Sequence, residues 1–239
     1  MANPFLSIVI PAHNEERRLP QTLEQVVDFV KKQSYESEVL VVENASRDRT
    51  LQIAQDFAAR YPFIRVICEE LPGKGRAVLK GMLAATGQYR FFADADFSMP
   101  VGEISRFLPP AIDAPIVIAS REAPGAVRYH EPIYRHITGR VFNGIIRLLV
   151  LHNLDDTQCG FKMFRADAAR ELFPRQTLMG WSFDVELLYI ARRRGYPIHE
   201  IGVPWYYNPA GKVNVLRDSW RMFVDLIAIR RNGQTGRYD

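Results

Sequence analysis

Two periods of hydrophobicity alternate along the first half of the chain. Residues 7–11 (SIVIP) are apolar and β-branched and read as a short buried strand. A helix over 19–32 follows, with Leu19, Leu23, Val26, Val27 and Val30 at helical spacing. The alternation repeats. Strands are expected at 38–43, 64–68, 89–93 and 115–119, and helices at 48–60, 74–85 and 101–109. Ser46 or Asp48 suits the N-cap of the second helix. Apolar strands separated by helices predict an α/β fold, with a mostly parallel central sheet covered by helices on both faces. Ligands of such sheets bind beyond the carboxyl ends of the strands. That rule selects residues 11–15, 43–48, 72–76, 94–98 and 120–121, and places them along one edge.

The second half is patterned differently. A polar loop at 122–132 leads into a long apolar helix over 133–151 that carries Arg135, Arg140 and Arg147. A loop at 155–160, a strand at 161–164, a helix at 183–193, a strand at 198–203 and a C-terminal helix at 214–231 complete the prediction. No repeat, low-complexity stretch or linker interrupts the chain, so residues 1–239 are expected to form one domain with a C-terminal helical extension. The stripe Ile133, Ile137, Val141, Ile145 and Leu148 fits a core helix, a helix lying in a membrane interface, or a dimer surface.

Composition narrows the function classes. The longest unbroken apolar run is five residues, 187–191, whereas a spanning helix needs about 20. No secretory leader is visible, and two isolated cysteines suit a reducing compartment, so a cytoplasmic location is expected. The net charge is only +4, but it is unevenly spread. Residues 1–120 hold 13 basic and 15 acidic side chains, and residues 121–239 hold 18 and 12. The second half is the one expected to meet an anionic partner. No recognised nucleic-acid module or aromatic-interleaved basic patch is present, so nucleic acid is not the expected partner.

The strand-end residues suggest chemistry. Asp94 and Asp96 follow a buried strand and point the same way if it stays extended. Paired carboxylates of this kind hold Mg²⁺ or Mn²⁺. Glu43, at the end of the second strand, suits a hydrogen bond to a nucleoside. The 72–76 segment, PGKGR, is not a P-loop, yet Lys74 and Arg76 at a helix start suit a diphosphate.

Together these segments resemble a known family. IVIPAHNE (8–15), VENASRD (42–48), GKGRAV (73–78), DAD (94–96) and ASR (119–121) look like family 2 glycosyltransferases of the GT-A fold. DTQCGFKMF (156–164), WSFDVE (181–186) and the Gly211-Lys212 segment resemble the polyprenyl-phosphate glycosyltransferases, with the first of these most like the glucose branch. The resemblance implies an inverting, metal-dependent transfer of a hexose from a nucleotide-diphosphate sugar, UDP-glucose favoured, to a polyprenyl or dolichyl phosphate. It places Pro11, Asn14, Glu15 and Glu43 around the nucleoside, and Asp94 and Asp96 at the metal and diphosphate; Asn44, Lys74 and Arg76 complete the expected donor-binding set. It places Arg121, Arg135 and Lys212 at phosphate groups. Asp184 is a candidate base, a residue orienting the acceptor-site cations, or a helix cap. The implied partners are the sugar nucleotide, the lipid phosphate and a membrane surface contacted peripherally from the cytoplasmic side, with a homodimer as a further option. GDP-mannose as donor, a soluble sugar hydroxyl as acceptor, and a non-catalytic nucleotide-binding module are the alternatives.

Overall fold

The computed structural model describes residues 3–209 and 215–239. Its main sheet contains β1 (Leu6–Ala12), β2 (Ser37–Asn44), β3 (Ile64–Glu69), β4 (Tyr89–Ala93), β5 (Ile116–Ser120), β7 (Phe161–Arg165) and β8 (Ile198–Gly202). Their order is β3-β2-β1-β4-β7-β5-β8. Strand β7 runs antiparallel to both its neighbours, and the other pairings are parallel. The chain therefore inserts one reversed strand from its second half between two of its first.

The inner strands are mostly apolar because both faces are covered, whereas the edge strands β3 and β8 carry exposed polar positions. Leu6, Ile8 and Ile10 of β1 pack with one core cluster, while Val9 packs with the other. Helices α1 (Leu19–Lys31) and α2 (Thr50–Arg60) cover the first face. Helices α3 (Lys74–Ala84), α5 (Ala166–Leu172) and α6 (Phe183–Arg193) cover the second. The apolar positions expected of α1, Leu19, Leu23, Val26, Val27 and Val30, are all buried. Helices α4 (Ile133–Leu149) and α7 (Val215–Gln234) add Ile146, Leu226 and Ile229 to the second core.

Several local expectations need correction. Residues 101–107 form a 3₁₀ helix, ended before Pro109 and Pro110, where an α-helix was expected to continue. The 122–132 segment contains β6 (Val127–Tyr129), which pairs in parallel with β9 (Pro204–Tyr206). That ribbon joins residues 77 positions apart in sequence, so local periodicity carries no trace of it. Neither Ser46 nor Asp48 is the residue preceding α2, which is Arg49. Asp48 still does a cap's work, since its Oδ1 accepts from the Thr50 amide at 2.9 Å. The core reading of the 133–151 helix holds for one face only: Ile146 is buried and Ile145 and Leu149 pack against the second core, whereas Ile133, Ile137, Val141 and Leu148 are all more than half exposed.

Candidate active site

The carboxyl ends of β1, β2, β4 and β5 bring the selected loops to one edge. Asn14, in the left-handed region at φ 52°, accepts from the Arg47 amide at 2.8 Å. Asn44 accepts from the Gly73 amide at 2.8 Å and donates to the Leu71 carbonyl at 2.7 Å. Its amide thus braces the β2 and β3 loops instead of facing a ligand. Glu43 accepts from the Ser46 amide at 2.5 Å. Glu15 holds Arg18 bidentately at 2.6 and 2.8 Å, and Arg18 Nη1 lies 3.9 Å from Asp96 Oδ2. Arg18 therefore joins the site through Glu15, which sits three residues before it on the approach to α1. Pro11 lies at the end of β1, beside these loops.

A cleft of about 320 Å³ opens next to this edge. Its floor holds Lys74, Asp94, Asp96 and Asp184, and its far wall holds Arg121, Arg128 and Arg135 with Trp205 and Tyr207. Lys74 Nζ is 2.6 Å from Asp94 Oδ1 and lies over the Trp181 ring. Burial disfavours the Lys74 charge, but Asp94, Asp184 and Asp96 outweigh it and raise its pKa. Asp96 is pushed up by burial and then by the charge of Asp94. A cation beside Asp96 would offset the charge of Asp94 that opposes its ionisation, so these residues fit a divalent ion. Among the described residues no group of three or more His, Cys, Asp or Glu is placed to hold a metal. Two carboxylates with the remaining positions left to water and substrate oxygens suit Mg²⁺ or Mn²⁺.

Asp94 is aimed by its neighbour. A Cβ on Gly160 would sit 2.1 Å from Asp94 Oδ2, and the Asp94 amide donates to the Gly160 carbonyl at 3.0 Å. Only glycine leaves room for the carboxylate there. Asp184 is buried in the first turn of α6, where its Oδ1 is 3.0 Å from Lys162 Nζ. Lys162, 1% exposed, also donates to the Cys159 carbonyl at 2.6 Å. Burial pushes the Asp184 carboxyl up despite Lys162 and Lys74. The salt bridge makes Asp184 a charged wall of the cleft that orients Lys162. The Cys159 thiol is pushed up to about 12 by burial, as befits a packing residue.

At the far wall, Arg121 grips Asp156 at 2.6 and 2.9 Å. Burial would raise the Asp156 carboxyl, but the Arg121 charge and hydrogen bonds hold it down at about 2. Asp156 therefore orders the loop and orients Arg121. Arg128 spends its guanidinium on Glu122 at 2.5 Å and Glu131 at 2.6 Å. Arg135 instead lies over the Tyr207 ring, and its Nε is buried without a hydrogen-bond partner. Lys212 lies outside the described residues.

The 72–76 loop differs from the phosphate cradle it suggested. The Gly75 and Arg76 amides donate to the Gly180 and Met179 carbonyls at 3.2 and 3.3 Å. A Cβ on Gly73, at φ 152°, would meet the Met179 carbonyl oxygen at 2.5 Å. The glycines admit a crossing segment, and the first helical amides are already taken by it. What α3 offers the cleft is the Lys74 side chain; Arg76, the other cation expected at the diphosphate, does not line the cleft, and its Nε is buried with no hydrogen-bond partner among the described residues. Arg18, Arg128, Gly160, Lys162 and Trp181 are site residues that pattern reading did not single out. Lys162 and Gly160 lie within the quoted DTQCGFK segment, and a lysine inside an apolar strand was the available signal. Arg128 gave none.

A family model described as Glycosyl transferase family 2 matches residues 7–173. A dolichyl-phosphate β-glucosyltransferase of Trichomonas vaginalis is 34% identical over 239 residues, covering 94% of this chain and 72% of that protein. The dolichyl-phosphate β-glucosyltransferases of Saccharomyces cerevisiae and Homo sapiens are each 31% identical, over 95% and 97% of this chain and 74% and 76% of theirs. Among solved structures, glucosyl-3-phosphoglycerate synthase from Mycobacterium tuberculosis in complex with uridine diphosphate matches with a TM-score of 0.68 at 19% identity, over 95% of this chain and 80% of that one. That likeness is one of fold, the GT-A architecture of a mixed sheet flanked by helices. The family model and the sequence relatives carry the assignment further: this chain belongs to glycosyltransferase family 2, and the relatives it is similar to are dolichyl-phosphate β-glucosyltransferases.

Proposed function

We propose that this enzyme transfers glucose from UDP-glucose to a polyprenyl phosphate of the dolichyl type, with inversion at the anomeric carbon. One observation carries the reading: a single cleft is lined both by the paired carboxylates with Lys74 and by Arg121, Arg128 and Arg135 with Trp205 and Tyr207. Its relatives' names supply the glucosyl group and the dolichyl phosphate. A structural neighbour of the same fold is described with Mn²⁺, UDP and phosphoglyceric acid, which supports the uridine nucleotide and the metal.

Pro11, Asn14, Glu15 and Glu43 surround the nucleoside. Asp94 and Asp96 hold the divalent ion, which when bound neutralises charge on the leaving diphosphate. Lys74 meets that diphosphate directly. The acceptor phosphate is already ionised near neutral pH, so its oxygen attacks the anomeric carbon as the bond to the diphosphate breaks. No strong base is required, which agrees with Asp184 being committed to Lys162. Arg135 positions the acceptor, seconded by Arg121, whose fork Asp156 partly neutralises. Lys212 is assigned to the same phosphate from the resemblance alone. Within one domain, residues 1–120 supply the nucleoside and metal residues, and residues 121–239 supply the acceptor arginines and the supporting residues Gly160, Lys162, Trp181 and Asp184 at the donor end.

No helix among the described residues is long and apolar enough to cross a membrane. Ile133, Ile137, Val141 and Leu148 of α4 and Trp220, Val224 and Ile227 of α7 are exposed, with Arg140 and Arg147 beside them. An apolar face edged by arginines suits peripheral attachment at the cytoplasmic surface of a membrane, where the lipid phosphate is met. Two measurements test the proposal. Radiolabel from UDP-glucose should enter an organic-extractable lipid phosphate with Mn²⁺ present, and label that stays aqueous with every polyprenyl phosphate offered defeats it. The chain should sediment with anionic vesicles. A monodisperse dimer that ignores vesicles assigns the apolar face to self-association.

A further inference from the structure

The crossing segment that caps α3 is itself held from behind. Residues 176–182 run beneath the Gly73–Arg76 loop, and Gln176 Nε2 donates to the carbonyls of Gly75 and Leu178, both at 2.9 Å. The segment ends on Trp181, over which Lys74 lies. Its other edge is fixed by Glu186, a fully buried carboxylate on α6. Glu186 accepts from the Thr177 amide at 2.9 Å, the Leu178 amide at 2.8 Å and the Thr177 hydroxyl at 2.5 Å. A fourth hydrogen bond, 2.7 Å long, comes from the Tyr238 hydroxyl, on a side chain that is 0% exposed. Asn232 of α7 donates to both Tyr238 and Thr177 at 3.2 and 3.4 Å, and Ser182 donates to Asp225 of α7 at 2.6 Å.

A buried carboxylate is expensive unless its hydrogen bonds are made, and a half-satisfied one is worse than none. Glu186 meets that demand only when residues 177–178 and Tyr238 are in place. The carboxylate thus specifies one position for the crossing segment. That position fixes the Gly180 and Met179 carbonyls, and through them the start of α3 and Lys74.

We infer that Glu186, with Tyr238, is a positioning residue for the donor diphosphate, acting through residues 177–181 to seat Lys74 opposite Asp94. It does not touch substrate. Helix α7, whose outer face carries Trp220, Val224 and Ile227, is therefore tied to the donor end of the cleft as well as to the acceptor end, where its Met222 reaches Gln158.

The inference rests on the diphosphate lying at Lys74, as proposed above, and its test separates the two. Mn²⁺-dependent binding of UDP and of UMP is measured by titration calorimetry, at a temperature below the melting transition of each variant. Wild type should prefer UDP, and Lys74→Ala should lose about tenfold in UDP affinity with UMP unchanged. If wild type shows no such preference, or Lys74→Ala leaves it intact, the diphosphate reading has failed. Given that preference, Glu186→Gln should lose several-fold in UDP affinity and leave UMP binding unchanged. Tyr238→Phe, which removes one hydrogen bond and keeps the ring, should do the same to a smaller extent and keeps the test alive if Glu186→Gln does not fold. Glu186→Gln added to Lys74→Ala should cost UDP nothing more, because both act through one ammonium. UDP binding equal to wild type in the Glu186 or Tyr238 variant, or fully additive losses, overturns the positioning role. So does a variant whose only change is a lower melting temperature.

Discussion

The two ends of the cleft are charged by opposite strategies. At the donor end, carboxylates are concentrated and underneutralised. Asp94, Asp96 and Asp184 share Lys74 and Lys162, and burial pushes Asp96 and Asp184 toward their protonated forms. At the acceptor end, arginines are concentrated but largely neutralised from within. Asp156 occupies Arg121, and Glu122 and Glu131 occupy Arg128. The excess of 18 basic over 12 acidic residues in the second half therefore overstates the positive field in the cleft. A region poised for a cation can leave carboxylates crowded, whereas a region that must both bind and release an anion needs its charge tempered.

That contrast can be broken at four points. The largest effect is expected at the donor carboxylates. Asp96→Ala should lower kcat/KM by about 10²–10³-fold or more and remove metal-dependent donor binding. Normal Mn²⁺-dependent turnover in that variant would take Asp96 out of the site. Gly160→Ala comes next. Its methyl has no room beside Asp94, so Mn²⁺ affinity should fall by about 10–100-fold, read by titration of the folded protein, and an unchanged affinity would mean that Asp94 is not the ligand. Arg135→Ala should raise the acceptor KM by about tenfold and leave UDP affinity untouched, since Arg135 is the wall arginine whose Nε is unspent. A selective loss of nucleotide binding would move Arg135 to the donor end.

The smallest effect concerns pH and stability. Asp156 titrates at about 2 when folded, below about 3.9 for an unfolded chain. A folded-state pKa that is depressed contributes stability that is complete above the unfolded value and is lost as pH falls through the folded one. The Arg121–Asp156 pair should accordingly contribute about 2.5 kcal/mol, lost between about pH 4 and pH 2. Asp96, Asp184 and Glu200, which are raised, act with the opposite sign, but only above that window, between their unfolded and their higher folded values. Urea midpoints across this range should fall toward acid in the wild type and less steeply in Asp156→Asn. Equal slopes would show that the pair is not responsible.

Much of this is legible in the sequence. The strands at 7–11, 38–43 and 89–93 were readable because a sheet covered on both faces needs unbroken apolar runs. Asp94, Asp96 and Lys74 were readable because strand ends of a parallel sheet gather on one edge. Other assignments depended on groups far apart in sequence. Asn44 was expected at the donor and braces Gly73 and Leu71. The 72–76 segment was read only for its cations, Lys74 and Arg76, whereas its glycines admit residues 179–180. Glu186 gave no sign of its partner Tyr238, which lies 52 residues on.

The sequence by itself determined the strand-helix alternation of the first half, the edge on which the chemistry gathers and the residue types available there. Those follow from local periodicity and from charge at strand ends, which a chain carries wherever it folds. Only the tertiary structure decided which of those charges are already committed: Arg121 to Asp156, Asp184 to Lys162, Arg128 to two glutamates, and Arg135 to none of these acids. Partnership inside a protein is set by distance and desolvation, and both are fixed only when β7 has inserted between β4 and β5 and brought loop 155–160 beneath the cleft.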